Sequence, residues 1–139
     1  MILMTLFLGV PAFFLGKVIW PDLPDAPQPS AFQLPFFIIL SALQSLLFGF
    51  GVAFAIVAWP WVKKSADNIW RTRAMYFSVV WILVQWWPHD NLHRWNGFDL
   101  QGLLFIDYAF HLTVMLASVI ILSFFVSTLK SQMVKKGQL

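Results

Sequence analysis

IWRTRAMYFSVVWILVQWWPHDNLHRW, residues 69–95, decides how many times this chain can cross a bilayer. Its apolar stretch, Ala74 to Trp87, is short by itself for a hydrocarbon core about 30 Å thick. It reaches that length if the helix starts near Ile69, with Arg71 and Arg73 snorkelling to the interface. Directly after it come Pro88 and two of the three histidines, His89 and His93, four residues apart.

The flanking sequence supports a membrane reading of that stretch. Of 139 residues, 60% are apolar and 11% charged, against about 25% charged in an ordinary soluble domain. A soluble fold of this size has too little interior for so many apolar side chains. Three further apolar runs stand out: Met1 to Ile19, Phe36 to Trp61 and Leu103 to Leu129. The first lacks the basic start and the small-residue cleavage site of a signal peptide, so a retained span is expected. Residues 20–35, WPDLPDAPQPSAFQLP, contain five prolines and two aspartates, which predicts an extended, solvated connection.

The expected fold is therefore an all-α integral membrane protein, an antiparallel bundle of four transmembrane helices in one domain, 1–139. The spans are about 1–19, 36–61, 69–87 and 103–129. Lys63, Lys64, Arg71, Arg73, Lys130, Lys135 and Lys136 flank ends that would share one side, whereas Lys17 and Arg94 lie on the other. The positive-inside rule makes the first side cytoplasmic. Both termini, the loop 62–68 and the tail 130–139 are then cytoplasmic, and connections 20–35 and 88–102 are outside, as in a bacterial cytoplasmic membrane. Trp20, Trp86, Trp87 and Trp95 would mark the outer interface, and Trp59, Trp61 and Trp70 the inner one. Lys17 would snorkel outward or pair with Asp22 or Asp25. Ser45, Gly49 and Ala53, with Gly51 and Ala55, recur at the four-residue spacing that lets membrane helices approach closely.

The polar chemistry gathers at the outer end. All three histidines and three of the six aspartates fall within residues 89–111. Residues four apart share a helix face, so Asp107 and His111 point the same way from the fourth span. If the helix continues through a kink at Pro88, Gln85, His89 and His93 form one stripe. Asp99 is placed to cap the fourth helix. His89, His93, Asp107 and His111 could together surround one transition-metal ion, with Gln85, Asp90 or Asn91 orienting the imidazoles. Thiolate-free, imidazole-rich ligation suits copper, zinc or iron without choosing among them. Two other readings remain open. One is a structural Asp–His polar clamp in an accessory subunit of a larger membrane complex or a homo-oligomer. The other is a haem b site using His111 with His89 or His93.

The Asp107-x-x-x-His111 pair in a span, with further histidines nearby, is similar to the metal site in the membrane C-subunit of copper-containing monooxygenases. That resemblance covers these two residues alone and implies a metal bound through them. The family's second histidine follows the pair, whereas His89 and His93 precede it. The stretch PHDNLHRWNGFDLQGLLFIDYAFH also looks like small bacterial membrane proteins, which implies no activity.

Several classes are excluded. With no cysteine there are no disulfides, thiolate metal sites or C-x-x-C-H haem attachment. With no glutamate there is no H-E-x-x-H protease motif. Three histidines are too few for a membrane di-iron oxygenase. No phosphate-binding loop, dinucleotide fingerprint or nucleophile elbow occurs. The net charge of +3 resides beside apolar spans and does not point to nucleic acid. The expectation is a metal-binding membrane protein whose site opens to the outer face, with a redox role conceivable for copper or iron.

Overall fold

A computed structural model describes residues 1–24, 28–64 and 68–136. Asp25 and Asp67 lie outside the described residues. The described chain is helical, with no strand: α1 (Ile2–Ile19), α2 (Leu34–Val57), α3 (Trp59–Lys64), α4 (Ile69–Val84), α5 (Trp86–Asn96) and α6 (Leu100–Lys135). Three helical stretches are long and apolar enough to cross a membrane: Ile2–Ile19, Leu34–Val57 and Leu100–Val134. The stretch between them behaves as its length foretold. With 16 residues, α4 rises about 24 Å, short of a bilayer core.

One residue, Gln85, joins α4 to α5. Its N–H donates to the Trp81 carbonyl and its carbonyl accepts from His89 N–H, both at 3.0 Å. The backbone ladder thus passes the junction. Pro88 has no N–H to return to Val84, so one rung of the ladder is missing there while the chain stays helical. The outer connection expected over 88–102 is consequently helical to Asn96. The other boundaries have local causes. Asn68 starts α4 by accepting from the N–H groups of Trp70 and Arg71, each at 3.1 Å. Asp99 caps α6 through Gln101 N–H at 3.1 Å, as its position predicts.

Helix packing relies on small residues and a few directed polar contacts. A methyl group placed on Gly49 would lie 2.5 Å from Thr5 O and 2.6 Å from Gly9 N. The backbones of α1 and α2 therefore touch, with Gly9, Ala12, Ser45 and Ala53 buried alongside. Gly51, on another face of α2, leaves room for Leu83 and Val84 of α4. Tyr76 is 2% exposed, and its hydroxyl lies 2.8 and 2.9 Å from the Phe54 and Ala55 carbonyls. Trp81 links α4 to α6 by donating from Nε1 to Thr113 Oγ1 at 3.0 Å and stacking on Phe110. Arg71 holds the other end of that pair through Phe124 O and the Ser127 hydroxyl.

The helices form a row rather than a closed ring. α2 packs between α1 and α4, and α4 between α2 and α6, while α5 touches α1, α2, α4 and α6. Among the described residues α6 contacts neither α1 nor α2. The surface is inverted relative to a soluble protein. Leu3, Phe7 and Phe105 are more than three-quarters exposed, whereas Ser45, Thr72, Ser78, Gln85 and Asn91 are buried. Buried polar groups under an apolar exterior suit a chain whose outside is hydrocarbon.

Candidate metal centre

The turn after α5 sets the site. Gly97 has φ +61°, and a side chain there would strike Leu23. This is the backbone state that glycine adopts freely. Asn96 then donates from Nδ2 to Asp99 O at 2.7 Å, and Asp99 opens α6. A reversal this short lays the second turn of α6 beside α5, so Asp107 faces the stripe that carries His89 and His93.

Three ligand-type atoms converge. His93 Nε2 lies 2.9 Å from Asp107 Oδ1 and 3.0 Å from His89 Nε2, and His89 Nε2 lies 3.7 Å from the same carboxylate oxygen. Seen from His93 Nε2, the two partners are about 78° apart, as these distances require. A single in-plane nitrogen lobe cannot point straight at both, because good hydrogen bonds need angles above about 150°. The circle through the three atoms has a radius of about 1.9 Å. A point about 0.7–0.9 Å off their plane is then about 2.0–2.1 Å from each, the bond length of zinc to imidazole nitrogen or carboxylate oxygen.

His111 stands at the edge of this group. Its Nδ1 is 3.8 Å from Asp107 Oδ1, its side chain is 60% exposed, and its ring centroid is 5.1 Å from that of His89. The three convergent atoms belong to His89, His93 and Asp107; His111 is a turn away on the same face of α6 as Asp107. His89, with only 12% of its side chain exposed, is held between the Phe110 ring at 4.9 Å and Trp86 at 6.4 Å. That burial lowers its imidazole below the ordinary value of 6.5, and His93 and His111 push it the same way against the opposing pull of Asp107. Loss of the proton leaves a lone pair for a cation.

The residues expected to orient the imidazoles are placed unequally. Gln85 is 1% exposed and one turn below His89 on the same stripe, with its side-chain nitrogen lacking a hydrogen-bond partner. Asp90 and Asn91 are engaged elsewhere. Asp90 Oδ2 is 3.6 Å from Arg94 Nε. Asn91 donates to Trp87 O at 2.7 Å and accepts from Arg94. Arg94 also approaches Asp22 at 3.6 Å, and Asp22 pairs with Lys17 at 3.3 Å. This chain of alternating charge ties α5 to the C-terminal end of α1. Sequence reasoning reached only the Lys17–Asp22 part; the i,i+4 spacing of Asp90 and Arg94 was the available signal for more. Comparisons with protein-family models, curated proteins and solved structures find no match to this chain.

Proposed function

We propose that this is a four-span membrane protein that binds one transition-metal ion at its outer face through His89, His93 and Asp107. The supporting observation is the triangle of their ligand atoms, whose size suits a tetrahedral ion seated just above it. Tetrahedral binding leaves the fourth position for His111, after a modest side-chain rotation, or for water or substrate. Two imidazoles and a carboxylate suit zinc, copper(II) or iron(II). The exposure of His111 and the Asp107 carboxylate, about one-third exposed, open the centre to solvent, as exchange of ions or small molecules requires.

The fourth crossing is completed by α4 running on through Gln85 to Trp87, over residues 69–87. Contacts along the row support antiparallel neighbours: Thr5 and Gly9 meet Gly49 and Ser45 in reverse order, and Arg71 and Trp81 reach Ser127 and Thr113. The basic ends favour cytoplasmic termini and a centre on the outer side. The open side of α6 is available to lipid, a second copy or a larger membrane complex.

Haem b fits less well. Of the pairs expected to hold it, His111 with His89 or His93, the His111 and His89 rings stand edge to face with centroids 5.1 Å apart, not on opposite faces of a macrocycle. A purely structural clamp needs one imidazole on Asp107, whereas here three surround it. The deciding experiment is elemental analysis of full-length protein purified without chelators. It should hold close to one equivalent of metal, and His93→Ala should lose it. Wild-type protein that takes up none of zinc, copper or iron would refute the proposal.

A further inference from the structure

Away from the imidazole cluster, where α2 ends and α4 begins, the two helices border a groove of about 780 Å³. Ala55 and Ile56 of α2 and Ala74 and Phe77 of α4 line its apolar length. Trp59, Trp70 and Arg73 line the end nearer α3. Ile56 and Phe77 are exposed. The buried Tyr76 beside them holds α4 to α2 through the Phe54 and Ala55 carbonyls.

Arg73 is held by rings rather than by oxygen atoms. Its guanidinium carbon is 4.9 Å from the centre of the Trp70 ring and 5.9 Å from that of Trp59, within the range of cation–π attraction. Among the described residues no carboxylate or carbonyl pairs with it. Arg71 differs, because it is committed to α6 through Phe124 O and the Ser127 hydroxyl. The Arg73 guanidinium is thus positioned and still lacks an oxygen acceptor. The charge around it is mostly of one sign. Between residues 26 and 89 the sequence carries Lys63, Lys64, Arg71 and Arg73 against one acid, Asp67, so this end stays cationic whatever Asp67 meets.

An apolar trough that ends in two indoles and a cation matches a phospholipid. Its chain lies along the walls, and its phosphate meets the guanidinium at the level where tryptophan marks a membrane interface. Arginine suits that phosphate because its planar N–H groups take two oxygens at once. A zwitterionic lipid would bring its own cation toward Arg73 and the lysines of α3, whereas an anionic lipid would not. Inorganic phosphate would leave Ile56 and Phe77 uncovered. We infer that the groove between α2 and α4 binds one anionic phospholipid, with its phosphodiester on Arg73 and an acyl chain along Ala74 and Phe77. The inference rests on the membrane reading of the chain and is independent of the metal centre.

The test is native mass spectrometry of the full chain released from mixed micelles that hold equal amounts of phosphatidylglycerol and phosphatidylcholine. One phosphatidylglycerol should be retained saturably, at least tenfold in preference to phosphatidylcholine. Arg73→Gln should lower that preference at least fivefold. Lys130→Gln, which removes an equal charge from α6 outside the groove, should change it less than twofold. Ala74→Trp, which fills the groove and leaves every charge in place, should lose the bound lipid, so the conclusion does not depend on Arg73→Gln alone. Equal retention of the two lipids, or undiminished retention in Ala74→Trp, overturns the inference. Equal effects of Arg73→Gln and Lys130→Gln do so too, because they would reduce the preference to diffuse surface charge. Displacement of the lipid by inorganic phosphate at equal concentration would make Arg73 a free-anion site and would also overturn it. Metal content should be the same in Arg73→Gln as in the wild type. A chain that retains phosphatidylglycerol and no metal therefore refutes only the metal centre, and one that holds metal without lipid preference refutes only the groove. A chain that alkaline carbonate strips from vesicles refutes the membrane reading, and this inference with it.

Discussion

The α1–α2 interface and the α5–α6 corner hold helices together in opposite ways. Between α1 and α2 nothing polar is needed: glycines at 9 and 49 bring two backbones into contact, and dispersion between close surfaces supplies the attraction that water would otherwise provide. At the α5–α6 corner the helices meet through two imidazoles and a carboxylate with little apolar cover, since Asp107 and His93 are about one-third exposed. An interface built for stability is closed to added volume. One that places ionisable groups in mutual reach at the end of apolar helices gives up packing for polar contact.

The contrast can be broken most severely at Gly49. Gly49→Val puts a side chain into backbone atoms that have nowhere to go, and should cost about 3 kcal/mol or more of unfolding free energy. Denaturation in mixed micelles measures it. A loss below about 1 kcal/mol would mean that α1 and α2 are not in backbone contact. The corner should respond differently. His93→Ala should weaken metal binding by at least about 100-fold, more than loss of a supporting hydrogen bond does, while changing metal-free stability far less than Gly49→Val. Competition with a chromophoric chelator reads the affinity, and a variant that collapses without retaining a measurable fold would make the corner structural after all.

A smaller effect sharpens the comparison from the α2–α4 side. Tyr76→Phe removes a hydroxyl from two carbonyls at the end of α2, of which Phe54 O also accepts from Ala58 N–H, so the cost should be about 1–3 kcal/mol. Metal content should stay unchanged, as elemental analysis can verify. The smallest effect is acid-dependent. Because His89 is held below 6.5, the unfolded chain binds more protons than the folded one between the lowered value and 6.5. Stability of the metal-free protein is then full above that window and declines as pH falls through it. His89→Gln should flatten this part of the pH profile; an equally sloped profile in the variant would assign the titration to another group. Metal binding should weaken over the same range, because protons compete for the imidazoles.

Much of this contrast is legible in the residues. The apolar runs at 1–19, 36–61 and 103–129 correspond to α1, α2 and α6 because a long uninterrupted apolar segment has few alternatives to helix in lipid. The small-residue faces of α2 are readable because four-residue spacing fixes direction on a helix. For the same reason Asp107 with His111, and Gln85 with His89 and His93, could be grouped before any fold was known. Other features were not readable. The expected bundle is an open row within one chain, since hydropathy marks helices and is silent on which ones touch. Asp90 and Asn91, expected beside the imidazoles, instead meet Arg94 and Trp87, each one turn away on α5 itself. His111 shares a face with Asp107 and still stands outside the tight triangle, because a shared face spans a full helical turn.

Composition and periodicity by themselves determined that this chain is helical, apolar enough for a membrane, and polar at one end. These are properties of single segments, governed by backbone hydrogen bonding and by the distance a helix rises per residue. Tertiary structure alone decided that His89, His93 and Asp107 meet within 3.7 Å and that Arg94 bridges toward Asp22. Such distances depend on the relative rotation and tilt of separate helices, which arise from glycine contacts at 9 and 49, the missing rung at Pro88 and the tight reversal at Gly97 acting together.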